Sequence, residues 1–184
     1  MNYSNLIENN PDPNYSELLS TLEWKRKRKE ILKRDDERCT NCSLGKTHDH
    51  YNSNGKFSSG ITDDGLVTYV TKTNSEGVIV KFWEPKMIVT KKSYIMHVHH
   101  CYYVVDKLPW QYPSEALITL CNWCHSDFHE KNIMKVYLDT SLTKYRELVA
   151  CKRCGGTGYF DNYRHVENGV CFECRGERFN MKIY

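Results

Sequence analysis

No run of apolar residues in this 184-residue chain approaches the ~20 that a membrane-spanning helix requires. The opening segment, MNYSNLIENNPDPNYSELL, is polar and slightly acidic; it has neither the basic start nor the apolar stretch of a secretory leader. Strong charge of one sign is also missing, and a formal net charge of +3 does not by itself name a partner. These absences predict a soluble, intracellular and cytoplasmic protein with no membrane association. Prolines are few, and four of the five fall in two places, Pro11/Pro13 and Pro109/Pro113, where they break a helix or punctuate a loop. What is present suffices for a core: 40% hydrophobic residues with 12% aromatics exclude wholesale disorder, and the length suits one domain with a small appendage.

Cysteine is the residue in excess. Eight of the nine cysteines form four CxxC pairs: Cys39/Cys42, Cys121/Cys124, Cys151/Cys154 and Cys171/Cys174. In a reducing compartment this spacing reads as metal ligation rather than disulfide bonding. Two intervening residues let both thiolates reach one tetrahedral zinc, and two pairs close a structural site. Four pairs therefore predict two structural Zn2+ ions. Cys101 is left over, a small buried hydrophobe by default.

Residues 1–15 read as an extended N-terminal arm, and Ser16 as the N-cap of a helix from Glu17 to Arg34. That helix carries five consecutive basic residues, Lys25, Arg26, Lys27, Arg28 and Lys29, which are candidates for binding a nucleic-acid backbone. The alternative is a solvated face opposite a buried stripe of Trp24, Ile31 and Leu32; both can hold together. Residues 43–93 read as a small antiparallel sheet, with strands GLVTYVTKT, GVIVKFWE and KMIVTKKSYIMHVHH and turns at TDDG, TNSEG and EPK. YVVDKLPWQYPSEA reads as a loop, LITLC as a strand leading through the second CxxC into a helix, and SLTKYRELVA as a further short helix. From residue 151 to the end, the glycine- and cysteine-rich segment is too short to build its own core and needs its zinc to fold.

Histidines mark the candidate site. His125 and His129, spaced i, i+4 on the helix after the second CxxC, share one face and can chelate one metal. In MHVHHCYY, strand alternation puts His97 and His99 on one face and His100 on the other. A strand–loop–helix unit brings His99 to His125 and His129, giving three neutral nitrogen ligands and an open position, the arrangement of a catalytic rather than a structural metal. His100, one residue away, is a candidate proton acceptor from an attacking water. His97 reads as a strand-face histidine, and His48 and His50 as loop residues beside a zinc site.

Three ordered motifs, W-x(6)-IL-x-RD-x(2)-RC-x(2)-C, HVHH-x(2)-Y and PW-x-YP-x(3)-LITLC-x(2)-CH-x(3)-H, resemble the HNH endonuclease family. The resemblance is to its zinc-stabilised branch, in which two CxxC pairs brace a ββα-metal core, and it covers residues 24–42 and 96–129. It implies an α+β fold with this core and an inserted small antiparallel sheet. The implied activity is metal-dependent hydrolysis of DNA phosphodiester bonds. The implied roles are His100 as general base, and His99, His125 and His129 as ligands of one catalytic divalent metal (Mg2+, Mn2+, Ni2+ or Zn2+). Cys39, Cys42, Cys121 and Cys124 match the structural zinc ligands. The family's central asparagine, which holds the loop so that the base is oriented, is replaced by Ala116. The alternative is therefore a catalytically impaired HNH fold that binds nucleic acid or protein. Phages, mobile elements and defence systems are frequent contexts for the family.

In the last segment, CKRCGGTG fits CxxCxGxG and CFECRGER repeats it with Arg178 in place of the final glycine. The pattern resembles the zinc-binding repeats of DnaJ-type chaperones. Two repeats imply one zinc, held by Cys151, Cys154, Cys171 and Cys174, in a C-terminal zinc-ribbon mini-domain. The expected organisation is an arm over 1–15, an HNH-like domain over 16–150 and a ribbon over 151–184. DNA is the expected partner, with a protein contact through the ribbon or the inserted sheet.

Overall fold

The computed structural model describes residues 1–179; residues 180–184 of the expected ribbon lie outside the described residues. The fold is mixed α+β, with small sheets and two four-cysteine clusters. No helix among the described residues is long and apolar enough to cross a membrane.

The N-terminal segment is not extended throughout: α1 spans Tyr3–Asn9, with the Asn2 side chain accepting from the Asn5 amide. The expected helix 17–34 is two helices. α2 (Tyr15–Ser20) starts at a capping box of Asn14 and Glu17, and α3 (Leu22–Arg34) starts at Thr21, whose hydroxyl accepts from the Trp24 amide. Thr21 is the C-cap of the first helix and the N-cap of the second, with extended backbone (φ −67°, ψ 158°), so a side-chain cap at mid-sequence outcompetes continuation. α3 buries Trp24 and Ile31 against Val104, Tyr112, Ala116 and Leu117.

The inserted sheet has the order β1 (His48–Tyr51), β2 (Phe57–Thr73), β3 (Ile79–Thr90), all antiparallel. TNSEG is its turn, closed by Asn74, whose side chain accepts from the amides of Glu76 and Val78. TDDG and EPK are not turns. They face each other across a bulge between the pairs Asp63–Met87 and Val67–Pro85, and the ladder resumes beyond it. Pro85 offers no amide, and Gly65 takes φ +82°, so the extra residues are absorbed there. The far end of this hairpin is solvent-exposed on both strands, including Trp83 and Ile79.

β4 (Met96–His100) pairs antiparallel with β6 (Leu117–Cys121), which runs directly into α4 (Asn122–Lys131). This is a ββα unit. α3 is stitched to it from its C-terminus: the Arg34 guanidinium donates to the carbonyls of Ser114 and Leu117, and the Asp35 carboxylate accepts from the Thr119 amide at 3.0 Å. β5 (Tyr103–Val104) lies parallel to β7 (Met134–Tyr137), which pairs with β8 (Tyr145–Leu148). SLTKYRELVA thus supplies a strand rather than a helix. Its residues Tyr145, Arg146 and Glu147 stay exposed, while Leu148 joins Tyr103, Met134, Val136 and Phe179 in a second core.

The C-terminal unit is a two-fold repeat. The Cys151 amide donates to the Arg178 carbonyl and the Cys171 amide to the Gly158 carbonyl, both at 2.9 Å. In each half the residues after the CxxC adopt left-handed backbone: Gly155, Gly156 and Gly158 in the first, Arg175, Gly176 and Arg178 in the second. Two arginines therefore hold conformations that disfavour a side chain by about 1–2 kcal/mol each.

Sulfur spacing supports zinc in both clusters. A tetrahedral ion with bonds of about 2.3 Å sets its sulfurs about 3.8 Å apart. Observed separations are 3.8 Å for Cys42–Cys121, 3.9 Å for Cys151–Cys171 and 3.7 Å for Cys154–Cys174. Elemental analysis of purified protein should find two tightly held thiolate-bound zinc ions; Cys151→Ser should lose one of them, and Cys39→Ser the other.

Candidate metal centre

Cys121 ends β6 and caps α4, its sulfur accepting from the Cys124 amide. Cys39 and Cys42 lie on the turn after α3, where the Cys39 amide donates to the Leu44 carbonyl and the Thr40 amide to the Thr119 carbonyl. The four sulfurs crowd together. Hydrogen bonding with Cys121 holds the Cys39 thiol down to about 4, while burial pushes Cys42 up to about 11. With the start of α4 so anchored, His125 and His129 face inward toward β4.

His99, His125 and His129 then form a buried cluster whose ligand atoms all lie within 4.8 Å of one another. The Nε2 atoms of His125 and His129 are 3.2 Å apart, close to the ~3.3 Å expected for two imidazoles on one tetrahedral ion. Among the described residues, neither ring nitrogen of His99 has a hydrogen-bond partner, nor does Nδ1 of His129. Each such buried atom costs about 1–3 kcal/mol unless something satisfies it. Burial drives the pKa of all three below the ordinary value, to about 3 for His129, so the rings are neutral and carry the lone pairs a metal needs. The donor set fits a divalent transition ion, which is what imidazole suits.

His100 lies apart from this cluster. Its Nε2 donates to the Pro109 carbonyl at 2.9 Å, and its Nδ1 accepts from the Tyr15 hydroxyl at 3.2 Å. The ring stacks on Trp24 with centroids 5.2 Å apart and meets the edge of Tyr112 at 4.7 Å. It is 1% exposed, so the residue expected to act as base is walled by aromatic side chains with both nitrogens engaged.

His97 shares the cluster's face. It stacks on His125 with centroids 5.1 Å apart, hydrogen-bonds the Tyr159 hydroxyl and faces the Asp161 carboxylate at 3.3 Å. Tyr159 and Asp161 belong to the C-terminal unit, which is thus packed directly on the histidines; a Cβ on Gly156 would stand 3.1 Å from His129 Nδ1. Neither residue carries a signal in the sequence, because the contact crosses more than sixty positions.

The basic run is divided by its helix. Lys25, Arg26 and Lys29 are exposed; Lys27 is paired with Glu30 at 3.0 Å and hydrogen-bonded to Ser114; Arg28 turns inward and donates to the Met96 carbonyl at 2.8 Å. Ala116 is buried among Trp24, Ile31 and Leu117. The loop before it is held by other groups: the Tyr112 hydroxyl accepts from the Val104 amide at 2.8 Å, and the Cys101 amide donates to the Ala116 carbonyl at 2.9 Å. Cys101 itself is exposed and outside every cluster. Comparison of the chain with known protein families, curated proteins and solved structures finds no match.

Burial holds the His100 pKa at about 3, far below the ~6.5 of an unfolded chain. Between those values the unfolded state binds a proton that the folded state does not. This stability contribution is complete above pH 6.5 and is lost as pH falls, at up to about 1.4 kcal/mol per pH unit. His100→Phe should therefore flatten the fall of melting temperature between pH 6.5 and 5, while wild type should show the steeper slope.

Proposed function

We propose that the protein is a metal-dependent phosphodiester hydrolase of the HNH type acting on DNA. The observation that carries this reading is the convergence of His99, His125 and His129 on a ββα unit braced by four cysteines. His99, His125 and His129 would hold one divalent ion, which supplies Lewis-acid polarisation of the phosphodiester and stabilises the leaving oxygen. His97, on the same face, is oriented by Tyr159 and Asp161. His100 serves as a positioning residue in this reading: through the Pro109 carbonyl and the Tyr15 hydroxyl it ties β4 to the loop and to α2. Arg34 and Tyr112 take over the loop-holding work that the family assigns to the residue replaced by Ala116.

A second reading is a non-catalytic HNH fold that binds nucleic acid or a protein. The burial of His100, with both of its nitrogens engaged, favours it, as does Ala116.

Nicking of supercoiled plasmid separates the two. Three imidazoles suit Ni2+ or Zn2+ better than Mg2+ or Mn2+, so activity should appear with the former. His129→Ala should lower it at least about 100-fold. Wild type that is inert with every metal, yet still binds DNA, would establish the second reading.

A further inference from the structure

A cleft of about 800 Å3 opens where three parts of the chain meet: the root of the inserted sheet, the start of α4 and the C-terminal unit. Tyr51 and Phe57 line it from β1 and β2, Lys91 and Lys92 from the segment leading into β4, and Trp123 from α4. Asp161 and Arg164 close it from the C-terminal unit. Arg164 also lines a neighbouring cavity of about 210 Å3 whose wall includes His97 and His125. The two spaces share this wall residue, so the cleft leads from the sheet to the edge of the histidine cluster.

The aromatic rings of the cleft are exposed yet held. Trp123 is 43% exposed and Tyr51 61%. The Trp123 indole N–H donates to the Ser93 carbonyl at 2.8 Å, and the Lys92 ammonium stands 4.4 Å from the centre of the ring. Tyr51 follows a shift in register between β1 and β2, an irregularity of the kind that re-aims a side chain. Its ring meets Phe57 edge-on, with centroids 6.2 Å apart. Large flat rings fixed in water are an unfavourable surface, which a ligand with flat apolar faces covers. Nucleobases have such faces, and each stacks on an aromatic side chain whatever its sequence. In a duplex those faces are taken by neighbouring bases, so an unpaired strand is what offers them. Charge plays the smaller part. Both carboxylates of the cleft are engaged, Asp49 by the hydroxyls of Thr47 and Ser93 and Asp161 by the Arg164 guanidinium. Asp161 matches the Arg164 charge in turn, so the cations that would meet phosphates are Lys91 and Lys92, both exposed.

We propose that this cleft binds a single DNA strand, its bases stacked on Trp123 and Tyr51 and its backbone passing Lys91 and Lys92 toward the histidine cluster. The root of the inserted sheet and the C-terminal unit thereby form two walls of one substrate path. The assignment rests on reading that cluster as a phosphodiester site, which is what makes the stacked ligand a nucleic acid. Lys25, Arg26 and Lys29, on the exposed face of α3, form a separate surface.

The test is fluorescence anisotropy with the full-length, zinc-loaded protein in the absence of added divalent metal. The probes are a labelled oligothymidylate and an abasic strand of the same length, which carries the same phosphates without bases. Wild type should bind the base-bearing strand at least about tenfold more tightly. Trp123→Ala and Tyr51→Ala should each remove about tenfold of the affinity for that strand and leave the abasic strand unchanged, while Trp123→Phe, which keeps a ring, should retain most of it. Lys91→Gln/Lys92→Gln should weaken both strands and reduce the slope of log affinity against log salt by about 1.4. Melting temperature and zinc content report the fold of each variant; Tyr51→Ala, at the more exposed position, decides the matter if Trp123→Ala does not fold. Equal affinity for the two strands overturns the proposal, as does unchanged binding in both alanine variants. Binding weakened only in Lys25→Gln/Lys29→Gln would also overturn it, moving the strand to the outer face of α3. Cleavage is not read, so loss of strand binding and absence of plasmid nicking are separate results.

Discussion

Everything at the candidate site depends on the crowding of four sulfurs at Cys39, Cys42, Cys121 and Cys124. They join the end of α3 to the start of α4, two places separated by about eighty residues of sequence. The inserted hairpin between them projects into solvent and contributes little to the core. Without an ion the four thiols contend for the same protons; with one they become a single rigid corner. From that corner β6 takes its register against β4, which pairs His99 with Ile118 and His100 with Leu117. The helix that follows then presents His125 and His129 to His99.

The second four-cysteine unit uses the same chemistry for a different end. Its two halves exchange backbone hydrogen bonds and match in left-handed residues, so it is held by its four-cysteine cluster and its turns rather than by apolar bulk. It does not stand free of the core. Phe179 inserts into the cluster of Tyr103, Met134, Val136 and Leu148, Arg178 covers Tyr15, and Tyr159 reaches His97. Arg178 occupies a position where glycine would be easier, and its placement over aromatic rings is what the strained backbone achieves.

Short-range pattern made much of this legible in the sequence. CxxC spacing located the sulfur clusters, and the i, i+4 histidines and the period of two along MHVHH placed three rings on one side and His100 on the other. Reading failed where tertiary contacts decide. SLTKYRELVA had helix-compatible residues but becomes a strand because Leu148 is needed in the second core. The helix over 17–34 breaks at Thr21 because its hydroxyl caps a new turn. The aromatic enclosure of His100 by Trp24, Tyr15 and Tyr112 draws on three distant segments, and no local signal announces it. Arg28 looked like one more exposed charge in a basic run, and only the packing of α3 on β4 turns it inward.

A site assembled this way couples two four-cysteine units to one histidine cluster, and the central claim is that the cluster itself binds a metal. Its nitrogens are neutral, buried and, among the described residues, partly without hydrogen-bond partners, a condition that an ion relieves and that hydrogen bonding within the cluster does not. The most direct measurement is a crystal structure of the protein with Ni2+ or Zn2+, with anomalous scattering recorded at the metal edge. The account predicts a third peak about 2.0–2.1 Å from nitrogens of His99, His125 and His129, beside the two at the cysteine clusters. Peaks at the cysteines alone, with the three imidazoles hydrogen-bonded to one another or to water, would contradict it.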